Sequence, residues 1–218
     1  MSVFASEAER AYEFPVVESG IFLAHAGVTI LPRRAADAMS AHAQASCRHH
    51  QEFGDVLRDV ARARAVCANL IGADASEVAL LGPTSLGLSL FANGLNWAPG
   101  DELLYYGDDY PANVYPWMAL QDRGVVIRSL RPNVAGGITP ELVEEALTPR
   151  TRLVALASCH FLSGRRIDVD AIGRMLQARG VLFSVDAIQT IGAAPISVKY
   201  VDFLSGDAHK WMLGPLAI

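Results

Sequence analysis

Several features are scarce or missing in this sequence, and each absence argues against a class of protein. The chain has three cysteines, Cys47, Cys67 and Cys159, an odd number at wide spacing that fits a reducing compartment and no disulfide framework. No uninterrupted apolar run approaches the roughly 20 residues of a membrane-spanning helix. The first residues lack a cationic start followed by an apolar core, so no secretory signal is indicated. These absences predict a cytoplasmic protein.

Charge and composition narrow the choice further. The net charge is -5 in 218 residues, acids and bases are interspersed, and no basic patch predicts binding to nucleic acid. Hydrophobic residues make up 51% and charged residues 19%, a balance that indicates a folded globular protein and not a disordered one. No G-x-G-x-x-G follows a predicted strand, which weakens the hypothesis of a doubly wound nucleotide-binding protein. No cysteine or carboxylate set completes a ligand pattern around the histidines, so no metal site is predicted.

The N-terminal part divides into an arm and the beginning of a domain. Residues 1–20 are polar and unpatterned, and we expect an arm that packs on another surface, ahead of a domain at 21–218. Residues 21–27 predict a short strand running into a turn, where His25 either touches a substrate or is a hydrogen-bonded turn residue. Apolar residues at helical spacing predict two helices, one from Pro32 to about His50 and one from Phe53 to Ile71.

Short apolar runs alternate with helical stretches in the rest of the chain. This alternation predicts an α/β sandwich built on a mostly parallel sheet. In such sheets ligands bind beyond the carboxyl ends of the strands. We expect strands at 78–81, 102–106, 125–130, 152–157, 181–185 and 202–205, with helices at about 84–96, 112–123, 140–147 and 168–179.

Two neighbouring stretches near the end of the chain carry the chemistry. Asp186 follows the apolar run 181–185, and Gln189 lies three residues further on. Lys210 follows the next apolar run in a polar turn. A carboxylate at a strand end with a lysine on the adjacent loop suits pyridoxal 5'-phosphate (PLP), because the lysine forms the Schiff base and the acid keeps the pyridine nitrogen protonated. The alternative is that Asp186 is a turn residue and Lys210 an ordinary surface lysine.

The same stretch resembles the cofactor site of the class V aminotransferase family, which includes cysteine desulfurases, selenocysteine lyases, kynureninases and isopenicillin-epimerase-like enzymes. Members carry D-x-x-Q followed by H-K and then G-P, and this sequence has the same residues in the same order. The resemblance implies that Lys210 binds PLP and that Asp186 contacts the pyridine nitrogen. It further implies that Gln189 contacts the phenolic oxygen and that His209 contacts the phosphate.

A looser match lies at L-L-G-P-T-S-L-G, residues 80–87. Family members bind the cofactor phosphate at this turn, so the resemblance assigns the phosphate to Thr84 and Ser85. Pro83 departs from the family pattern and has no N–H to donate. We also expect Thr84 or Ser85 to cap the following helix, whose N-terminus favours an anion. Serine and threonine caps are common without any ligand, so the match depends on the lysine downstream.

Two further positions depart from the family in residue type. Tyr110 stands where members have a histidine stacked on the pyridine ring, and an aromatic ring can supply the same surface. The alternative is that Tyr110 begins a helix and packs in the core. His160 stands where desulfurases have an asparagine that contacts the ring oxygen and the substrate carboxylate. A buried structural histidine is the alternative there.

The last departure is Asp207, where desulfurases have a serine or threonine on the phosphate. Two anions in contact repel each other unless a cation or proton intervenes. Either His209 mediates between them, or Asp207 points away towards a partner subunit. Some epimerase-like members carry a similar D-G-H-K, which favours that branch. Cys159 does not match the desulfurase cysteine and is interpreted as a packed small residue.

The resemblance covers about residues 20–218 and implies the PLP-dependent transferase-like large domain, an α/β/α sandwich. The family's C-terminal small domain is not represented, so we expect a chain truncated at its C-terminus, with a further strand beginning at 216–218. The implied protein is a homodimeric enzyme acting on an amino acid, with no nucleic-acid or membrane partner. Transamination, epimerisation and desulfurase- or lyase-type reactions all stay open. A non-catalytic piece that keeps the fold is the alternative hypothesis.

Overall fold

The computed structural model describes residues 4–215, and a parallel β-sheet lies at its centre. The sheet has five strands among these residues, in the spatial order β2-β1-β3-β4-β5, and each neighbouring pair is parallel. The strand predicted to begin at 216–218 lies outside the described residues. The strands are β1 (Glu102–Tyr106), β2 (Val126–Leu130), β3 (Thr151–Ala157), β4 (Leu182–Asp186) and β5 (Phe203–Ser205).

Helices cover both faces of the sheet, as the alternating sequence pattern predicts. The α-helices are α1 (Glu7–Glu13), α2 (Arg33–Ser46), α3 (Phe53–Ile71), α4 (Thr84–Gly94), α5 (Tyr115–Met118), α6 (Pro140–Ala146) and α7 (Val169–Ala178). Short 3-10 helices lie at Pro15–Glu18, Ala75–Glu77, Pro111–Asn113 and Ala119–Arg123. Among the described residues no helix is long and apolar enough to cross a membrane.

Successive strand residues point to opposite faces and so build two cores. Leu103 and Leu153 face α4 and α5, where Trp117 is completely buried. Leu104 and Val154 face the opposite side, where they join buried residues of α6 and α7. The predicted α/β sandwich is therefore confirmed, with the sheet as its middle layer.

Three predicted elements are wrong. The run 78–81 pairs with no strand in the part of the chain that the structure describes, although Val78 has extended backbone angles. Residues 21–27 form no strand either, and Ile21 is 90% exposed. The helix expected at 112–123 is broken into three short pieces. Pro116 lacks an N–H and starts a new turn, which prevents one continuous helix.

The N-terminal arm is more ordered than its composition suggested. Ser6 caps α1 by accepting a hydrogen bond from the Glu9 amide at 3.1 Å. The arm packs on α2, where Glu13 accepts a hydrogen bond from Arg34 at 2.8 Å. Helix α2 itself begins after Pro32 and ends at Ser46, several residues before the predicted end.

A close helix–backbone contact fixes the segment that leads into β5. A Cβ added at Gly173 of α7 would lie 2.4 Å from the backbone oxygen of Tyr200. Tyr200 lies three residues before β5, and β5 leads directly to Lys210. The absence of a side chain at Gly173 therefore helps to determine where the Lys210 loop begins.

We predict that Gly173→Ala destabilises the fold by about 1–3 kcal/mol, because the new methyl group collides with backbone that cannot rotate away. The matched control is Gly54→Ala in α3, where the nearest atom would be the flexible end of Arg58 at 3.6 Å. That control should be neutral or stabilising by up to about 1 kcal/mol, since alanine favours the helix. Urea unfolding of both variants measures the difference, and equal stability would contradict the contact.

Candidate active site

The carboxyl ends of four strands bring the predicted site residues to one edge of the sheet. Because all strands are parallel, the loops after β1, β3, β4 and β5 leave at the same edge. The Nζ atom of Lys210, after β5, lies 5.5 Å from the centroid of the Tyr110 ring, after β1. Asp186 is the last residue of β4 and interacts electrostatically with Lys210. Lys210, Asp186 and Tyr110 therefore share one site.

Asp186 is a buried carboxylate, and burial dominates its behaviour. The pKa of Asp186 is raised to about 7, chiefly by burial, and the charge of nearby Asp109 acts in the same direction. The Ile188 amide, which donates to Oδ1 at 3.1 Å, and the charge of Lys210 act in the opposite direction. The backbone oxygen of Asp186 accepts hydrogen bonds from the Ser158 amide and hydroxyl at 2.9 and 3.1 Å. Such a carboxylate favours a cationic or proton-bearing partner.

Lys210 is buried at the start of a tight turn. Burial lowers the pKa of Lys210, while the charges of Asp186 and Asp207 oppose that change. The Leu213 amide donates to the Lys210 carbonyl at 3.2 Å, and Leu213 has a left-handed φ of 58°. A lysine with a lowered pKa is more often neutral and is a better nucleophile than a solvated one.

Helix α4 presents its N-terminus next to β5. The Ser205 hydroxyl donates to the Thr84 carbonyl at 3.2 Å, which ties the first turn of α4 to the end of β5. A Cβ at Gly87 would lie 2.7 Å from the Ser205 hydroxyl oxygen, so glycine permits this approach. The first amides of a helix have no partner within the helix and favour an anion.

The capping prediction for this helix is wrong. Pro83 occupies the N-cap position, and Thr84 is already the first helical residue, with Ser85 after it. Proline offers no side-chain acceptor, so the helix starts without a side-chain cap. The Thr84 hydroxyl is buried and has no hydrogen-bond partner within residues 4–215. An unsatisfied buried hydroxyl is costly, and a ligand oxygen would satisfy it.

Asp207 and His209 lie side by side in the loop after β5. The Asp207 side chain is 1% exposed, and its Oδ1 lies 2.9 Å from His209 Nδ1. The two atoms are close but not aligned as a hydrogen bond, so His209 Nδ1 is unsatisfied by the described residues. The His209 carbonyl accepts from the Thr29 amide at 2.8 Å, which anchors the loop to the N-terminal segment.

Gln189 and Trp211 link the site to the segment around residue 26. Gln189 Nε2 donates to the Ala26 carbonyl at 3.0 Å, and Trp211 Nε1 donates to Gln189 Oε1 at 3.0 Å. The His25 ring lies 5.3 Å from the Trp211 ring, and its Nδ1 lies 2.7 Å from the Thr29 hydroxyl. Contact between Gln189 and a ligand would require exchange of one of these bonds.

His160 is buried, and both of its ring nitrogens have protein partners. Nε2 donates to the Asp108 carbonyl at 3.1 Å, and Nδ1 lies 2.9 Å from the Ser163 hydroxyl. Gly136 packs so closely that an added Cβ would lie 2.5 Å from the His160 Cβ. A ligand contact from His160 would have to replace one of these hydrogen bonds.

Sequence reasoning did not assign a role to the buried pair Asp109 and Asn113. Asp109 Oδ2 accepts hydrogen bonds from Asn113 Nδ2 and from the Ala157 amide, both at 3.1 Å. Burial raises the pKa of Asp109, and its hydrogen bonds oppose that change. The spacing of Asp109, Asn113 and Trp117 by four residues each was the signal available in the sequence.

The described residues fit PLP. The unsatisfied Thr84 hydroxyl, the first amides of α4 and His209 Nδ1 suit a phosphate group, although the Asp207 carboxylate opposes it. Asp186 suits a protonated pyridine nitrogen, and Lys210 suits an aldehyde carbon. Among residues 4–215 no group of three histidine, cysteine or carboxylate side chains could hold a metal ion.

Comparison with known proteins identifies the family. The sequence profile described as aminotransferase class-V matches residues 21–218, so the chain belongs to the class V aminotransferase family. Pyridoxal 5'-phosphate is the cofactor of this family.

Individual relatives agree with this assignment. A probable cysteine desulfurase of Methanothermobacter thermautotrophicus is 32% identical over 73% of this chain and 40% of its own length. The uncharacterized aminotransferase YcbU of Bacillus subtilis is 29% identical over 92% of this chain and 54% of its own length. The apo structure of a cysteine desulfurase from Thermococcus onnurineus superposes with a TM-score of 0.88 at 22% identity, covering 99% of this chain and 56% of that one. The chain spans about half the length of such relatives.

We predict that Asp186→Asn stabilises the cofactor-free protein at alkaline pH. The pKa of folded Asp186, about 7, lies above the ordinary aspartate value of 3.8, so the folded state binds the proton more tightly than the unfolded one. Stability therefore falls as pH rises from about 4 to about 7. At about 1.4 kcal/mol per pKa unit, the loss is at most roughly 4 kcal/mol.

Urea unfolding at about pH 5 and about pH 8.5 measures this dependence. At the lower pH, Asp186→Asn should be as stable as the unmodified protein or less stable. At the higher pH it should be more stable. Asp59→Asn, on the exposed face of α3, removes the same charge without burial and should follow the unmodified protein at both values. An identical pH dependence in Asp186→Asn would show that the carboxylate is not desolvated.

Proposed function

We propose that this protein is a PLP-dependent enzyme that acts on an amino acid through Lys210. The observation that carries the proposal is the buried Lys210 amine, held beside the buried Asp186 carboxylate where parallel strands end. Burial opposes the charge of Lys210 more than its acidic neighbours favour it, so a lysine is costly at this position. A covalent cofactor site explains why the lysine is there.

Each residue would have a defined task in that site. PLP, when bound, supplies an electron sink for charge that develops on the amino acid. Asp186 would hold the pyridine nitrogen protonated, and Tyr110 would cover one face of the ring. Thr84, Ser85 and His209 would bind the phosphate, while Gln189 and His160 border the site.

Lys210 has a second task once it is released from the cofactor. Its lowered pKa favours the neutral amine, the form that can accept a proton from the substrate α-carbon and return it. Asp186 and Asp207 both favour the protonated amine, so the lysine can hold the proton between the two transfers. This role suits transamination, epimerisation and elimination alike.

The reaction that follows proton removal is the open part of the proposal. Relatives of the chain are named as cysteine desulfurases and as an aminotransferase, so cysteine and other amino acids are the substrates to test. Burial raises the pKa of Cys159, which disfavours its thiolate and its use as a sulfur acceptor. Asp207, in place of a hydroxyl, favours the epimerase-like branch.

We also propose that the protein functions as a homodimer in the cytoplasm. Apolar side chains are exposed on the N-terminal segment and α3, including Leu23 at 84% and Phe53 at 73%, and a second copy would bury such a surface. Cys47, Cys67 and Cys159 are all free thiols, which fits a reducing compartment. The arm at 1–20 and the domain at 21–218 remain a predicted division.

The lysine content makes the central proposal directly testable. The sequence contains two lysines, Lys199 and Lys210. Lys199 is exposed, and its Nζ lies 5.0 Å from the Tyr200 ring centroid, so it serves as a matched control. The purified protein is incubated with PLP, reduced with borohydride, and digested for mass spectrometry.

We expect a visible absorption band that borohydride bleaches, with the added mass on the peptide that contains Lys210. Lys199→Ala should keep both signals, and Lys210→Ala should lose both while retaining its circular dichroism spectrum. Mass on Lys199, or an unchanged band in Lys210→Ala, would contradict the assignment of Lys210. A band with no turnover of any amino acid would support the non-catalytic alternative.

A further inference from the structure

Asp109 is a buried carboxylate that the proposed function does not use. It lies three residues beyond β1 and is 7% exposed. Its Oδ1 accepts a hydrogen bond from the Tyr110 amide at 2.8 Å. Its Oδ2 accepts from the Ala157 amide, at the end of β3, and from Asn113 Nδ2, both at 3.1 Å. A buried charge with three donors is held in one orientation.

The donors come from two parts of the site, because Tyr110 and Asn113 lie in the segment after β1 and Ala157 ends β3. Asn113 is itself fixed, because its Oδ1 accepts a hydrogen bond from Trp117 Nε1 at 3.0 Å, and Trp117 is completely buried. Ala157 is the register partner of Asp186 in the β3–β4 pair. The Asp109 carboxylate therefore joins the Tyr110 loop to the strand that lies beside Asp186.

The position of the Tyr110 ring depends on the hydrogen bond that the Tyr110 amide donates to Asp109. Its side chain is 47% exposed, and its ring makes an edge contact with Phe161 at 5.4 Å between centroids. Partial exposure leaves the ring little packing to hold it, so the backbone must hold it instead. The Tyr110 amide is fixed by Asp109, and from that position the ring centroid lies 5.5 Å from Lys210 Nζ.

We propose that Asp109 is a positioning residue, which holds the Tyr110 ring opposite Lys210 by bridging the Tyr110 and Ala157 amides. This inference rests on the proposed function, since the ring matters only if a cofactor lies against it. Asp109 touches neither the cofactor nor the substrate in this assignment and acts through Tyr110. Its charge has a second effect, because it raises the pKa of Asp186.

A double-mutant cycle tests the proposal with a binding readout. The dissociation constant of PLP is measured by absorption for the unmodified protein, Asp109→Asn, Tyr110→Ala and the double variant. Asp109→Asn retains the shape but puts an amide donor against one of the three N–H groups. We expect it to weaken PLP binding about tenfold, as the loss of one charge-assisted hydrogen bond would. In the Tyr110→Ala background the same change should matter less than about twofold.

Asp108 supplies the matched control. It is exposed, and the His160 ring uses only its backbone carbonyl, so Asp108→Asn removes the same charge one residue away. That variant should bind PLP like the unmodified protein. In urea unfolding without cofactor, Asp109→Asn should shift the pH dependence due to Asp186 to lower pH, and Asp108→Asn should not.

The outcomes separate this inference from the proposed function. Unchanged binding in Asp109→Asn, or an equal loss with and without the Tyr110 ring, would overturn the positioning role alone. No binding of PLP by the unmodified protein would overturn the proposed function and this inference with it. If Asp109→Asn fails to fold, Asn113→Ser removes one of the three hydrogen bonds to Asp109, together with the acceptor of Trp117 Nε1. A loss of about twofold that disappears in the Tyr110→Ala background would then support the role, and any other result would refute it.

Discussion

The buried carboxylate at the end of β4 is the constraint on which this site depends. A parallel sheet with helices on both faces has a dry interior, and Asp186 belongs to that interior through both its backbone and its side chain. Burial alone would drive the group to its neutral form. Lys210, in the loop after β5, counteracts that tendency in part, and a cationic ring nitrogen would counteract it further. The position of Asp186 therefore favours one kind of occupant before any substrate is considered.

Acidic groups outnumber the cation that faces them. Asp186 and Asp207 are buried beside Lys210, with Asp109 near Asp186, and burial lowers the pKa of that lysine more than the charges of Asp186 and Asp207 raise it. A site with this excess of negative charge favours a pyridinium cation and disfavours a phosphate anion. The N-terminus of α4, with the unsatisfied Thr84 hydroxyl, supplies the compensating positive end at the phosphate position. The pyridine end of the cofactor favours negative charge and the phosphate end favours positive charge. In the proposed site, separate elements of the fold would supply the two.

The sequence predicted the parts of this arrangement that local pattern controls. Asp186 and Lys210 were predicted from the apolar runs that precede them, because an apolar run and the polar residues that follow it are local features of the sequence. The run at 78–81 is also apolar but pairs with no strand among residues 4–215, because strand pairing depends on distant parts of the chain. Likewise, hydrophobic spacing alone predicts one helix at 112–123, but Pro116 interrupts it. The Asp109 network could not be derived, because its Ala157 donor lies 48 residues away.

The Asp207–His209 pair shows how a departure from a family pattern can retain its chemistry. A serine or threonine would offer the phosphate a hydroxyl, whereas Asp207 offers a charge that repels it. The Asp207 carboxylate oxygen Oδ1 lies 2.9 Å from His209 Nδ1 instead. In the proposed site, His209 would mediate between Asp207 and the phosphate. The substitution would then alter how the phosphate is bound and would leave the proposed roles of Lys210 and Asp186 unchanged.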